Sequence, residues 1–384
     1  MAVSSPLHDL IHKSLRAVIG KCSRPQQKAV KEILLSIFRE GTTVINHLTD
    51  TNRKVKVGKQ AERLRHHLEN IDISSVVEKR VWRTLPVISD DTVIAYDLGD
   101  IAKPCAKKME GLHDIFDGSE RKWSTGYMTH GVSIHDQPVI FRIHDHNTCT
   151  LNQTRLSIID DLIGRFGTKG IWTFDRQNDD QKLFTALSER KVRFIIRLKK
   201  NRNLIRKDTG EIIRTEAFPV GRYEVIIPNT KEEYFLVVHQ KHNHLPPIRV
   251  ITNVKGVTKI EEVIETYLQR WDMENLYKQM KTKYDLESVR LLSLKKITNL
   301  LALVQLTTSI NNLSFERSQK EEEQKSAIAL AFRQYYSLRC LTPNRFSFAD
   351  FLSTLIPASS LTKKKPTNQL SLLSWRQMGK MGVF

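Results

Sequence analysis

Two short apolar runs in the middle of the chain, TVIAYD (Thr92–Asp97) and KGIWTFD (Lys169–Asp175), each stop on an aspartate. Runs of this length, rich in Val, Ile, Trp and Phe, read as buried strands. TRLSIIDDLIGRFG, a helix closed by Gly167, precedes the second run. DDQKLFTALSERK, a helix with Asp179 as its expected N-cap, and the strand-like VRFIIRLKK come after it. Two further strands, WSTGYMTHGVSIH and QPVIFRIH, turn around Asp136 as a hairpin. Three early strands followed by helix, strand, helix and strand constrain the chain to an α/β fold with a mixed sheet. In open sheets of this kind sites form beyond the carboxyl ends of strands, where Asp97 and Asp175 fall.

A third acid belongs to the stretch Thr258–Lys281, TKIEEVIETYLQRWDMENLYKQMK. Thr258 and Glu261 make a capping-box pattern, and the stretch contains no Gly or Pro, so one long helix is expected. At about 100° per residue, Tyr267, Arg270, Glu274 and Lys281 fall within an arc of roughly 60° on one face. Such a face is either solvated and laced with ion pairs or a site with an acid for a metal and cations for phosphates. Asp97, Asp175 and Glu274 together are hard oxygen ligands suited to Mg²⁺ or Mn²⁺. Asp100, three residues after Asp97, is a rival for the first ligand; Asp97 directly follows the apolar run and is preferred.

Charge points the same way. Among 384 residues, 61 Lys and Arg face 42 Asp and Glu, a formal net charge of +19. With 40% apolar residues this is a folded protein rather than a basic tail, and it calls for a polyanionic partner, nucleic acid before an acidic membrane. Four scattered cysteines without a C-x-x-C pair argue against a disulfide framework or zinc site and for a reducing, intracellular setting. The N-terminus is no signal peptide, and the longest apolar run, around Leu300–Leu306, is too short to span a bilayer.

Residues 1–85 read as a helical N-terminal domain, from LHDLIHKSLRAVIG and QQKAVKEILLSIFREG. Its basic cluster, Arg53–Arg65, is either a solvated face or part of a DNA-binding module. Residues 86–315 form the expected catalytic domain, with an all-β insertion at about 200–255 (RYEVIIP, EEYFLVVHQ, IRVITNV) and a buried helix, ITNLLALVQLTTSINNL. Residues 316–384 read as short helices and a loose basic tail that includes KKKPTNQ. His144 and His146, with no third ligand nearby in sequence, are expected as surface histidines. Gly164, Gly167 and Gly170 follow a helix rather than a strand, so they read as cap and turn, not a phosphate loop.

The signature Tyr-x2-Arg-x3-Glu-x6-Lys, standing as Tyr267, Arg270, Glu274 and Lys281, resembles that of the DDE transposases of bacterial insertion sequences, the insertion-sequence-4-like group. VIAYDLGDIAKP, IWTFDRQ and FIIRLKK match the surrounding blocks, and the resemblance runs from about Ser89 to Leu313. It implies a ribonuclease-H-like core in which Asp97, Asp175 and Glu274 bind two Mg²⁺, with Mn²⁺ as substitute. Tyr267, Arg270 and Lys281, and Arg176 beside the second acid, would contact DNA. The implied reaction cleaves DNA at terminal inverted repeats and joins the 3′-OH to target DNA, within a homodimer, in the bacterial cytoplasm at the nucleoid. A catalytically inactive DNA-binding protein and a structure-selective nuclease on the same fold are the alternatives. Some relatives hold a flipped base on a Trp from the β insertion; this chain has none between 180 and 265, leaving Tyr223, Tyr234 or Phe235 to stack.

Overall fold

Strand β1 (Val93–Ala102) is the axis of the larger of two compact units, which spans Asp72–Ser309. The structure, a computed structural model, describes residues 6–49, 55–118, 120–242, 244–256, 259–319 and 344–355, with Phe332 and Tyr335. β1 continues past Asp97, beyond the run visible in the sequence, because β3 (Lys122–Ile134) pairs with it antiparallel from Ile94 to Ala102. β2 (His113–Asp117), not foreseen, pairs with the first half of β3, and β4 (Gln137–Ile143) with the second half. His135 and Asp136, both at positive φ (49° and 58°), form the two-residue turn expected between β3 and β4.

On its other side β1 pairs parallel with β5 (Ile171–Phe174), and β5 parallel with β6 (Arg193–Arg197). The crossovers are α5 (Leu151–Phe166) and α6 (Gln181–Glu189). Thr150 and Gln153 close a capping box on α5. The N-cap of α6 is Asp180, which accepts from the Lys182 amide, not Asp179; Asp179 is buried and ion-paired with Arg202. The insertion strands are β7 (Asn203–Arg206), β8 (Ile212–Arg214), β9 (Gly221–Ile226), β10 (Glu233–His239) and β11 (Ile248–Thr252). They form no separate layer. β11 pairs antiparallel with β6, so one mixed sheet of eleven strands runs β2-β3-β1-β5-β6-β11-β10-β9-β7-β8, with β4 also on β3. The β4-β3-β1-β5-β6 portion, antiparallel then parallel, is a ribonuclease-H-like core.

Helices cover this sheet for identifiable reasons. α7 (Ile260–Leu268) buries Val263, Ile264 and Tyr267 among Ile171, Ile195, Val237 and Val250. α9 (Leu294–Gln319) is buried from Ile297 to Ser309, as its all-round apolar pattern predicts; Gln305 donates to the Pro138 carbonyl (2.7 Å). α4 (Ser74–Trp82), within the span assigned to the N-terminal domain, lies on β4 instead. Its Trp82 ring N–H donates to the Val139 carbonyl, and its Glu78 takes a two-pronged bond from Arg142 (2.7 and 2.7 Å).

The second unit comprises the described residues up to Ile71 and those from Ile310 onward. It holds α1 (Pro6–Ile19), α2 (Arg24–Glu40), α3 (Val57–Glu69) and the helix Arg345–Leu355. Gly41 caps α2 in the left-handed conformation (φ 60°). Phe332, Phe348 and Phe351 pack as an aromatic cluster with centroids 4.8 and 5.4 Å apart. Within the basic cluster, Arg63 is spent on Glu32 and Arg65 on Asn46. Arg53, the KKKPTNQ stretch and the expected cap Thr258 lie outside the described residues.

Candidate active site

Backbone pairing brings the first two acids together. On the parallel β1–β5 ladder Ala95 is level with Thr173, and Asp97 and Asp175 each stand two residues further on. Adjacent strands lie about 4.8 Å apart, so the separation of the two backbones is set by hydrogen bonds. Asp175 keeps an extended backbone (φ −75°, ψ 178°) and caps a short 3₁₀ turn, Arg176–Asn178. Its Oδ1 accepts from the Gln177 amide (3.0 Å) and from Asn178 Nδ2 (2.5 Å), which fixes the carboxylate at the strand end.

The third acid arrives on α8 (Trp271–Lys283). The expected single helix is in fact two, divided at Gln269–Arg270. There the amides of Arg270, Asp272 and Met273 bond three residues back (3.1 Å each), a 3₁₀ tightening with no Gly or Pro to announce it. α8 sits directly on the strands through two glycines. A Cβ on Gly99 would collide with the Tyr277 ring, and one on Gly131, opposite Asp97, would meet Met273 and lie 2.8 Å from the Tyr277 hydroxyl. Tyr277 donates to the Thr129 carbonyl (3.2 Å) and accepts from the Thr129 hydroxyl (3.1 Å), tying α8 to β3.

Arg270 lies between two of the acids. Its Nη2 is 2.5 Å from Glu274 Oε1 and its Nη1 3.5 Å from Asp97 Oδ1; the guanidinium is 6% exposed, Asp97 14% and Glu274 50%. Burial works against the Arg270 charge, but Tyr267, Asp97 and Glu274 hold it above the ordinary arginine range. Asp97 is pushed up to about 7, first by burial and then by the negative charges of Asp175 and Glu274, against the pull of Arg270. The three acids therefore share one electrostatic neighbourhood.

The remaining predicted residues sit differently. Lys281 is ion-paired with Asp100 (3.0 Å) and Glu287 (2.8 Å), which commits the rival acid to a salt bridge. Tyr267 does not reach the surface as a phosphate contact would. It is 1% exposed, its hydroxyl makes no hydrogen bond among the described residues, and its ring lies 5.7 Å from the Arg270 guanidinium carbon. The cause is its place in the apolar cluster under α7. Arg176 is exposed and makes no ion pair among the described residues. Tyr234 is buried; Tyr223 and Phe235 are half-buried and lie under Arg206 and Arg222.

Residues 112–310, over half of the chain, match the family model of the transposase DDE domain. The chain belongs to this family. In this transposase the matched span contains Asp175 and Glu274 and begins after Asp97. Among solved structures, a piggyBac transposase synaptic complex with hairpin DNA is similar in fold, with a TM-score of 0.51 at 12% identity, over 96% of this chain and 82% of that one. No curated protein matches the chain.

Whether the transposase site suits a divalent metal depends on its donors and its charge. Three carboxylates are hard oxygen donors of the type Mg²⁺ takes. Asp97 is raised first by burial and then by the charges of Asp175 and Glu274, and a cation relieves that repulsion. As the side chains stand, no three His, Cys, Asp or Glu groups among the described residues enclose a metal position. Arg270 already engages two of the acids, Asp97 and Glu274. The donor chemistry suits a divalent ion: three carboxylates, of which Glu274 is half-exposed and held by Arg270.

Two features escaped the sequence reading. Trp271, the residue after Arg270 and the first of α8, is 57% exposed. His144 is buried rather than on the surface, because β3–β4 pairing carries His130 to it and β2–β3 pairing carries His113. The rings of His113 and His146 lie 4.5 Å apart and those of His130 and His144 5.5 Å. Among the described residues no helix is long and apolar enough to cross a membrane.

Proposed function

We propose that this chain is a metal-dependent DNA transposase of the insertion-sequence-4-like group, cutting DNA at the terminal inverted repeats of its element and joining the freed 3′-OH to target DNA. What supports this reading is that Asp97 and Asp175 each follow the paired Ala95 and Thr173 by two residues on the β1–β5 ladder, and that Asp97 and Glu274 both meet Arg270. Asp97, Asp175 and Glu274 would hold two Mg²⁺, or Mn²⁺ in their place. Bound there, the ions would supply Lewis-acid activation of the attacking oxygen and stabilise the leaving one in an in-line phosphodiester displacement. Arg270, released from Glu274, is positioned to neutralise charge on a phosphate oxygen, with Tyr267 supporting it from beneath. Arg176 beside Asp175, and Lys281 once freed from Asp100 and Glu287, would be further phosphate contacts. The working form is a homodimer on DNA, in the cytoplasm at the nucleoid.

The test uses purified protein, DNA carrying the inverted repeats that flank its coding region, and Mg²⁺. The wild type should cut at the ends, whereas Asp97→Asn, Asp175→Asn and Glu274→Gln should each bind the same DNA and leave it intact. Cutting by all three variants would overturn the assignment. Binding without metal-dependent cutting by the wild type would leave an inactive DNA-binding protein.

A further inference from the structure

Beside Asp175 opens a cavity of about 580 Å³ whose lining includes Arg176, Arg197, Lys199, Lys200 and Arg249 and no acid. It is built at the same sheet edge as the acids. β5 and β6 pair parallel with Phe174 level with Ile196, so Asp175 and Arg197 are the next residues on neighbouring strands. Arg176, Arg197 and Lys200 make no ion pair among the described residues. Arg249 spends its guanidinium on the carbonyls of Thr215 (2.8 Å), Pro247 (3.3 Å) and Glu216 (3.1 Å), which hold it in place and leave its charge unneutralised by hydrogen bonding to a carboxylate. Pro246 and Pro247 stiffen the opposite wall. Positive charge concentrated in a preformed groove, three of its cations without an ion pair among the described residues, is a binding site for successive phosphates.

The lining also says which nucleic acid. It offers no aromatic ring for stacking and only one uncharged polar side chain, Gln177, so it grips backbone and reads almost no base edge. A terminal repeat has a fixed sequence that rewards base contacts; host DNA, whether flanking the element or serving as target, does not. We propose that this groove holds the phosphate backbone of the host strand as it leaves the acids past Asp175. The assignment rests on the transposase reading for its context, but the groove's affinity for DNA does not depend on catalysis.

The experiment uses the full chain and the double variant Arg197→Gln/Lys200→Gln, with Arg197→Lys/Lys200→Arg as the charge-conserving control and thermal melting to confirm folding. Binding of a labelled duplex of arbitrary sequence is measured in EDTA across a salt series. The charge-removing variant should bind about tenfold more weakly at moderate salt. Its slope of log affinity against log salt should flatten by about 1.8, at about 0.9 for each phosphate left without its cation, while the control keeps both. With the element's own ends, loss of cutting on substrates carrying flanking sequence assigns the strand to the flank, and loss of joining by pre-cut ends assigns it to the target. Unchanged affinity and slope on the arbitrary duplex overturn the site. An equal loss on a duplex that stops at the cleavage position overturns its assignment to host DNA. If the wild type binds but does not cut, it is the transposase reading that fails, and the salt series still decides the groove.

Discussion

Arg270 places Nη1 3.5 Å from the Asp97 carboxylate at a position only 6% exposed. A fixed cation thus already stands against the acids that a divalent ion would bridge. Removing a charge at this distance changes the electrostatic energy by about 1–4 kcal/mol in surroundings between water and a protein surface. Arg270→Ala should therefore bind Mn²⁺ about tenfold more tightly by calorimetric titration, though without this cation to hold a phosphate it cuts DNA poorly. Its metal-free form should be less stable, by about 3–5 kcal/mol, because Asp97 is left without its partner. Unchanged Mn²⁺ affinity would show that Arg270 does not compete for the acids.

Gly99 and Gly131 set how closely α8 approaches the strands. Gly99→Ala puts a methyl into the Tyr277 ring, and overpacking of this kind costs about 1–3 kcal/mol. The larger effect should be on geometry: α8 carries Glu274, and a shift of about 1 Å is worth roughly a hundredfold in rate. Cutting should fall far more than DNA binding. Equal falls in the two would show that the variant is merely misfolded.

Trp271 exposes 57% of its surface beside Arg270. Base stacking on an aromatic side chain contributes about 1–3 kcal/mol. Trp271→Ala should weaken binding to end DNA by that amount with an unchanged melting temperature, and Trp271→Phe should restore most of it. Unaltered DNA affinity would remove Trp271 from the interface.

The buried histidines make the fold acid-sensitive. Burial, then His144 and two arginines, lowers His130 to about 3, and burial also lowers His113 and His144. These folded-state values lie below the unfolded value of about 6.5, so the unfolded chain takes up protons first as pH falls. The stability is complete above about pH 6.5 and drains away below it, toward pH 3 for His130. Denaturant unfolding across this range should show the decline, and His130→Asn should flatten part of it. A flat profile in the wild type would contradict the burial of these rings.

Local pattern carried much of the architecture. The two Asp-ended runs and the turn at His135–Asp136 are short-range signals, and each became the element it predicts; the stretch carrying Glu274 is helical too, but as two helices rather than one. Long-range pairing was the obstacle elsewhere. Nothing near His113 announces that β2 will lie on β3 and bring its ring to His146. The insertion reads as strands, but alternation does not say that β11 will extend the core sheet from β6. Likewise a shared helical face identified Tyr267 and Arg270 without revealing what covers them. Tyr267 turned into the apolar cluster and Arg270 toward the acids. The division of the helix at Gln269–Arg270 has no glycine or proline behind it and becomes intelligible only beside the buried guanidinium.

The ladder between β1 and β5 has a mechanical corollary. With Ala95 and Thr173 paired two residues before the first two acids, the spacing of those two backbones is as stiff as the sheet itself, whereas the third acid rides on a separate helix. A displacement of that one rod on its two-glycine bearing would therefore alter the reach of the third carboxylate while the strands beneath it keep their spacing.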